Sequence, residues 1–247
     1  MGLPLSTMLP AETPAALMSL ANKLSDDDAL GFLLSGGCGA DGAVPLGGFS
    51  DAVRSIKDAT NLKINAHVGY PRREAVDRLV DSGIDAFSVT FPMSDEIGKR
   101  YLGIDNALSR YEETAQGLRD LGARVVPHAL IGLGDQDEDV AGLSALASYN
   151  PKSVVVIIFI PLRETPLSAA HAVPDARIVE TLAFARSAMQ HANLVLGCMR
   201  PRGKIEMEAR LIEESLDGIV MPSTSALRAV SGKVALERCE GCCALYL

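Results

Sequence analysis

Cys239, Cys242 and Cys243 fall within five residues of each other in the run CEGCC. Thiolates are soft donors that suit zinc, iron or an iron–sulfur cluster, so this spacing nominates a metal site. A closed tetrahedral set needs a fourth ligand, and Cys38 and Cys198 are the remaining cysteines of the chain. The competing reading is a terminus whose thiols cluster without holding anything. A second group of candidates follows apolar runs. Phe32-Leu33-Leu34 stops at Ser35-Gly36-Gly37-Cys38, where glycines let main-chain groups approach a ligand without a Cβ in the way. Asn65 and His67, Ser88 and Thr90, His128 with Gly132-Leu133-Gly134, Arg163 to Thr165, Cys198 to Arg202, and Pro222 to Thr224 close further apolar runs. Arg200 and Arg202 suit carboxylate or phosphate recognition, or else a solvated loop. His67 and His128 are ligand contacts or hydrogen-bonded core histidines. Lys63 and Lys152 stand at the beginnings of such runs rather than at their ends, which argues against a Schiff-base aldolase.

The elements that must position these groups follow from periodicity. Strands are expected at Ala29 to Leu34, Lys63 to His67, Ile84 to Phe91, Arg124 to Ile131, Ser153 to Ile160, Asn193 to Cys198 and Asp217 to Met221. Helices are expected at Ala15 to Leu24, Gly48 to Thr60, Arg72 to Ser82, Asp95 to Leu102, Asn106 to Leu121, Asp135 onward, Pro174 to Gln190, Gly203 to Ser215 and Ser223 to Ser231. Strands and helices alternate in units of about 30 residues, the pattern of a parallel α/β architecture. The polar candidates then share the C-terminal strand ends, where such folds place their sites. The expectation is a single α/β domain over residues 1–247, a parallel (β/α) barrel of about seven strands with the first β-unit missing. A cysteine-rich tail from about residue 233 closes it. The chain opens on a helix, where a complete barrel of eight units opens on a strand.

Composition sets outer bounds. With 247 residues the chain is long enough for one barrel. A net charge of −8 offers no electrostatic case for nucleic acid. Its longest apolar run, Val154 to Pro161, is too short to span a bilayer. The opening MGLPLSTMLPAETP lacks the charged and apolar regions of a signal peptide. These features predict a cytoplasmic protein, with cysteines that are free or metal-bound rather than paired.

Read in order, LSGGCGADGAVPL, KINAHVGY, GIDAFSVTFP, RVVPHALIGLG, VVVIIFIPLRETPL and LGCMRPRGK resemble the biotin synthase- and lipoyl synthase-like branch of the radical S-adenosylmethionine superfamily. The similarity is greatest to archaeal-type lipoyl synthase-like proteins. It implies that Ser35, Gly36 and Gly37 meet the methionine end of S-adenosylmethionine. Ser88 and Thr90 would lie near its ribose, and Ile131, Gly132 and Gly134 would meet adenine through the backbone. Asn65, His67, His128, Arg163, Arg200 and Arg202 would face substrate or the cofactor carboxylate. Cys239, Cys242 and Cys243 would hold an auxiliary iron–sulfur cluster or other metal. One departure stands out: no C-x3-C-x2-C run for a reducing cluster occurs in the sequence. The implied function is therefore a component of sulfur insertion or cofactor biosynthesis that takes its [4Fe-4S] cluster from a partner or a further segment. The alternatives are a catalytically degenerate S-adenosylmethionine- or metal-binding assembly protein and a metal-dependent barrel lyase. An open strand edge at Ala29 to Leu34 predicts cover from the leader, the tail, a homodimer or another protein.

Overall fold

The computed structural model describes residues 8–245. The start of the expected leader and the last two residues of the tail lie outside them. The chain forms two compact units. One comprises residues up to Val89 together with Leu102–Val126 and the tail from Cys239. The other comprises Thr90–Tyr101 and Pro127–Arg238.

The first unit opens with α1 (Pro14–Asp26), which Thr13 caps by accepting a hydrogen bond from the Ala16 N–H. Then come β1 (Gly31–Leu34), a 3-10 turn (Leu46–Phe49), α2 (Ser50–Ala59), β2 (Lys63–His67), α3 (Arg73–Asp81) and β3 (Ala86–Phe91). The short α4 (Asp95–Ile97) and nearly all of a π-helical turn (Gly98–Leu102) fall in the second unit, after which α5 (Ala107–Asp120) of the first leads into β4 (Val125–Ile131). β1 pairs with β2 and β2 with β3, both in parallel. The helices bury one apolar stripe each: Ala52, Val53 and Ile56 on α2, Val76 and Leu79 on α3, Tyr111, Ala115 and Leu118 on α5.

In the second unit, β4 is followed by α6 (Gln136–Ser148), β5 (Ser153–Ile158), α7 (Asp175–Ala188), β6 (Asn193–Leu196), α8 (Ile205–Glu214), β7 (Gly218–Ile219) and α9 (Thr224–Val230). Here β4 to β7 pair in parallel and in chain order. Val154, Val155, Val156 and Ile158 of β5 are fully buried, as a strand covered on both faces requires. Asp135 and Glu138 form a reciprocal cap at the start of α6. The Ser223 hydroxyl accepts from the Ala226 N–H at the start of α9.

Seven strands in sequential order, β1 to β7, alternate with helices. This is the α/β class and the topology of an incomplete parallel (β/α) barrel. The expected strand Ala29 to Leu34 is shorter, starting at Gly31, and the expected helix from Gly48 begins as the 3-10 turn. The helix expected over Asp95 to Leu102 is a single α-turn continued by the π-turn.

One device recurs in both units. Asp85, just before β3, accepts the Ile64 N–H of β2 at 2.8 Å and is held by Lys57 of α2 and Lys63. Asp217, just before β7, accepts the Leu194 N–H of β6 at 2.8 Å and is held by Arg186 of α7. Each aspartate ties a strand start to the neighbouring strand and to the helix that precedes that neighbour. Burial pushes the Asp85 carboxyl up, but Lys57, the Ile64 N–H and Lys63 outweigh it and hold it below its ordinary value. A depressed carboxylate contributes stability above its unfolded pKa that is lost as pH falls through its folded pKa. We therefore expect Asp85→Asn to lower urea stability at neutral pH and to shrink the gap from wild type below about pH 4. Urea midpoints measured from pH 7 to pH 3 check this.

Candidate functional site

In the first unit the loop after β1 is shaped by backbone bonds rather than by side chains. The Gly39 N–H donates to Ala43 O, the Val44 N–H to Val68 O, and the Tyr70 N–H to Gly42 O. A Cβ on Gly69 would sit 2.2 Å from Gly42 O, so this close approach requires glycine. Arg110 of α5 adds hydrogen bonds to the Asp41 and Tyr70 carbonyls at 3.1 Å each. Ser35 is half-buried, while Gly36, Gly37 and Cys38 are exposed.

The β2 and β3 residues of this unit form a buried polar chain. The Ser88 hydroxyl donates to Asn65 Oδ1 at 2.9 Å, and Asn65 Nδ2 donates to Cys242 Sγ at 3.1 Å. Asn65 and Ser88 are both buried. Cys243 Sγ lies 3.9 Å from Cys242 Sγ. Bonds from Cys243, the Ala244 N–H and Asn65 pull the Cys242 thiol down to about 6, against the upward push of burial. Beside this chain, burial lowers His67 to about 4, so its ring is neutral at neutral pH. An imidazole depressed on folding costs stability as pH falls from about 6.5 toward 4. His67→Gln is accordingly expected to flatten the acid limb of stability in that window, read as urea midpoint against pH.

Cys239 is exposed and Cys242 is turned toward Asn65. Among the described residues, no group of three or more His, Cys, Asp or Glu side chains is placed to hold a metal ion. The expected three-thiol ligand set is thus not assembled. The residues present do not fit a reducing iron–sulfur cluster either.

The second unit holds a cavity of about 300 Å³ at the C-terminal end of β4. Gly132, Leu133 and Gly134 form one wall, and Phe159, His171, Val173, Tyr101 and Arg177 contribute others. Gly132 has φ +91°, and a Cβ there would lie 2.2 Å from Val173 Cγ2. Its N–H donates to both oxygens of the buried Asp139, which pairs with Arg177 at 2.5 Å. Burial pushes the Asp139 carboxyl up, and the Gly132 and Arg177 donors pull against it. Arg177 also donates to Gly134 O at 2.8 Å, and the Tyr101 hydroxyl, on the π-turn, donates to Leu133 O at 3.0 Å. The Gly132–Gly134 backbone is therefore fixed from three sides. Asp139, Arg177 and Tyr101 escaped the sequence reading. The only signal was an acidic run after IGLG, which the helix start explained by itself.

Other expected site residues stand elsewhere. Ile131 and His128 are buried on β4, Thr90 is half-buried, and Arg163 is on an exposed loop. Arg200 corrects an expectation. It is 1% exposed and spends its donors internally: Nε and Nη2 on Glu208, Nη1 on the Gly197 and Val220 carbonyls, and Nη2 on Met221 O. With all five N–H groups engaged, it has none to offer a ligand. Arg202 bonds to the Met221 and Cys198 carbonyls and is exposed.

No family model matches the chain. It is 26% identical over 166 residues to a biotin synthase of Chlorobium phaeovibrioides, covering 67% of this chain and 50% of that protein. A Burkholderia thailandensis biotin synthase is 28% identical over 162 residues, covering 64% and 48%. The chain spans about half the length of the curated relatives it matches. Its fold is shared with HydG, the FeFe-hydrogenase maturase of Carboxydothermus hydrogenoformans, at a TM-score of 0.68 and 15% identity over 87% of this chain and 52% of HydG. It is shared with methylornithine synthase (PylB) at 0.65 and 14% identity, over 92% and 68%. Streptococcus suis SuiB bound to S-adenosylmethionine matches at 0.61 and 10% identity, over 82% and 46%. Among the described residues no helix is long and apolar enough to cross a membrane. The ordered motifs and the sequential parallel strands agree with these likenesses: the chain is similar to biotin synthases and resembles the biotin synthase-like branch of the radical S-adenosylmethionine superfamily.

Proposed function

We propose that this chain contributes the S-adenosylmethionine-binding part of a radical enzyme system in sulfur insertion or related cofactor biosynthesis. The observation that carries the reading is the cavity over Gly132–Gly134. Its volume is at the lower end for a small-ligand site, and its lining combines apolar side chains with a few placed polar groups. Adenine would lie against the Gly132–Gly134 backbone and Phe159, with His171 and Tyr101 at its edges. Asp139 and Arg177 keep that backbone in place. Ser35, Gly36 and Gly37 would serve the methionine end, and Ser88 and Thr90 the ribose. Asn65, His67, His128 and Arg163 remain candidates for substrate contact, whereas Arg200 supports its neighbours.

S-adenosylmethionine, when reductively cleaved, supplies a carbon-centred radical. That cleavage needs an electron, and the residues here do not fit the cluster that would deliver it. The cluster is therefore assigned to another polypeptide segment, and no step is derived through it. A separate cluster-bearing partner would complete the enzyme, and that partner or a homodimer would cover the open edge at β1, in the cytoplasm.

Isothermal titration with S-adenosylmethionine and with S-adenosylhomocysteine tests the reading. Saturable one-to-one binding of both is expected, since the adenosyl half is shared. No heat and no protection of the Gly132–Gly134 amides from hydrogen exchange would remove it. The degenerate-relative alternative predicts the same binding, but with no turnover after a cluster-bearing partner is added.

A further inference from the structure

The cavity of the second unit has one fixed wall and one hung wall. Gly132, Leu133 and Gly134 form the first, pinned by Asp139, Arg177 and Tyr101. The segment between β5 and α7 supplies the other, bringing Leu167, Ala170, His171 and Ala172 to the lining. Its two ends meet at one residue. A Cβ built on Gly132 would lie 3.6 Å from Phe159 Cβ and 2.2 Å from Val173 Cγ2. The Phe159 N–H also donates to Ile131 O at 2.9 Å, and Val173 is buried. Both stems are therefore seated at the end of β4.

Between the stems, residues 160–172 form no helix or strand, and none of them is buried. Their hydrogen bonds are local: the Ser168 N–H to Thr165 O, the Ala170 N–H to Leu167 O, and the Thr165 hydroxyl to Leu162 O. Among the described residues, no hydrogen bond or ion pair ties 160–172 to the rest of the chain. A segment of this length with adjacent ends and only its own turns is an Ω-loop, a class that often covers sites. Few buried contacts and purely local bonds put it at the low-stability end of the molecule. The cavity, about 300 Å³, is at the lower end for a small-ligand site. Its pinned wall cannot widen, so room for a ligand to enter must come from the loop.

We infer that residues 160–172 are a lid that pivots at Phe159 and Val173 and closes over an adenosyl ligand. The inference rests on the adenosyl reading of this cavity and adds how the site opens and shuts. Closure brings Leu167 and His171 onto the ligand and takes its apolar surface out of water.

Hydrogen exchange read by mass spectrometry tests this on the full chain, free and with S-adenosylhomocysteine at an occupancy set by calorimetry. In the free protein, 160–172 should exchange as one unit, about 100-fold faster than β5 and α7. With ligand bound, that exchange should slow by at least about tenfold. Protection equal to that of α7 in the free protein makes the wall rigid and overturns the lid. Calorimetric binding with unchanged exchange in 160–172 also overturns the lid and leaves the adenosyl reading standing. No calorimetric binding overturns both. Replacing 161–172 by Gly-Ser-Gly-Gly, which the adjacent stems permit, should raise the S-adenosylhomocysteine dissociation rate by about tenfold or more. An unchanged rate in the folded, shortened chain overturns the lid. Exchange on the full chain decides the matter even if the shortened chain fails to fold.

Discussion

Glu208→Gln is expected to cost about 3–5 kcal/mol of stability, the typical price of breaking a buried ion pair from one side. Both partners of this pair are at most 1% exposed. Glutamine keeps the shape and loses the charge, which leaves the Arg200 guanidinium buried without compensation. Glu208 Oε2 also accepts the Ser223 N–H at 2.8 Å, while Ser223 caps α9. One carboxylate of α8 therefore holds the Arg200 loop and the start of α9 together. Burial pushes the Glu208 carboxyl up, but Ser223 and Arg200 outweigh it and keep it below its ordinary value. In urea the midpoint should fall with an unchanged slope. Replacing both residues by methionine should not restore stability, because the Gly197, Val220 and Met221 carbonyls lose their Arg200 donor. A doubly substituted chain as stable as wild type would show that the carbonyl contacts carry nothing.

Gly132→Val is expected to weaken adenosyl-ligand binding by at least about 100-fold, roughly 2.7 kcal/mol or more. Two effects act together. The residue sits at φ +91°, where a β-branched side chain is strained by about 1–3 kcal/mol. Its Cβ would also overlap Val173 Cγ2 at 2.2 Å, so the cavity wall must move. Gly132→Ala with Val173→Ala relieves the overlap and keeps the backbone strain, and should recover only part of the affinity. Titration calorimetry on the three proteins separates the two effects. Wild-type affinity in Gly132→Val would place the ligand away from this wall.

The sequence by itself determined the alternation of seven strands and their helices, because burial on two faces leaves continuous apolar runs and burial on one leaves a 3.6-residue period. It also determined the helix starts at Asp135 and Ser223, which depend on neighbours a few positions away. The lack of a C-x3-C-x2-C run was equally legible, as was the glycine-bearing end of β4. The tertiary structure alone decided what the polar residues do. Arg200 looked available for a ligand because its partner, Glu208, lies one helix start away and four carbonyl and carboxylate acceptors converge only after folding. Asp139 and Arg177 are 38 positions apart, and Asn65 and Cys242 are 177 apart. No local period or spacing links residues at such separations. Of the thiols that cluster in sequence, Cys242 alone is shown to meet an amide on β2 in space, because a side chain's chemistry is set by the donors and charges that packing brings to it.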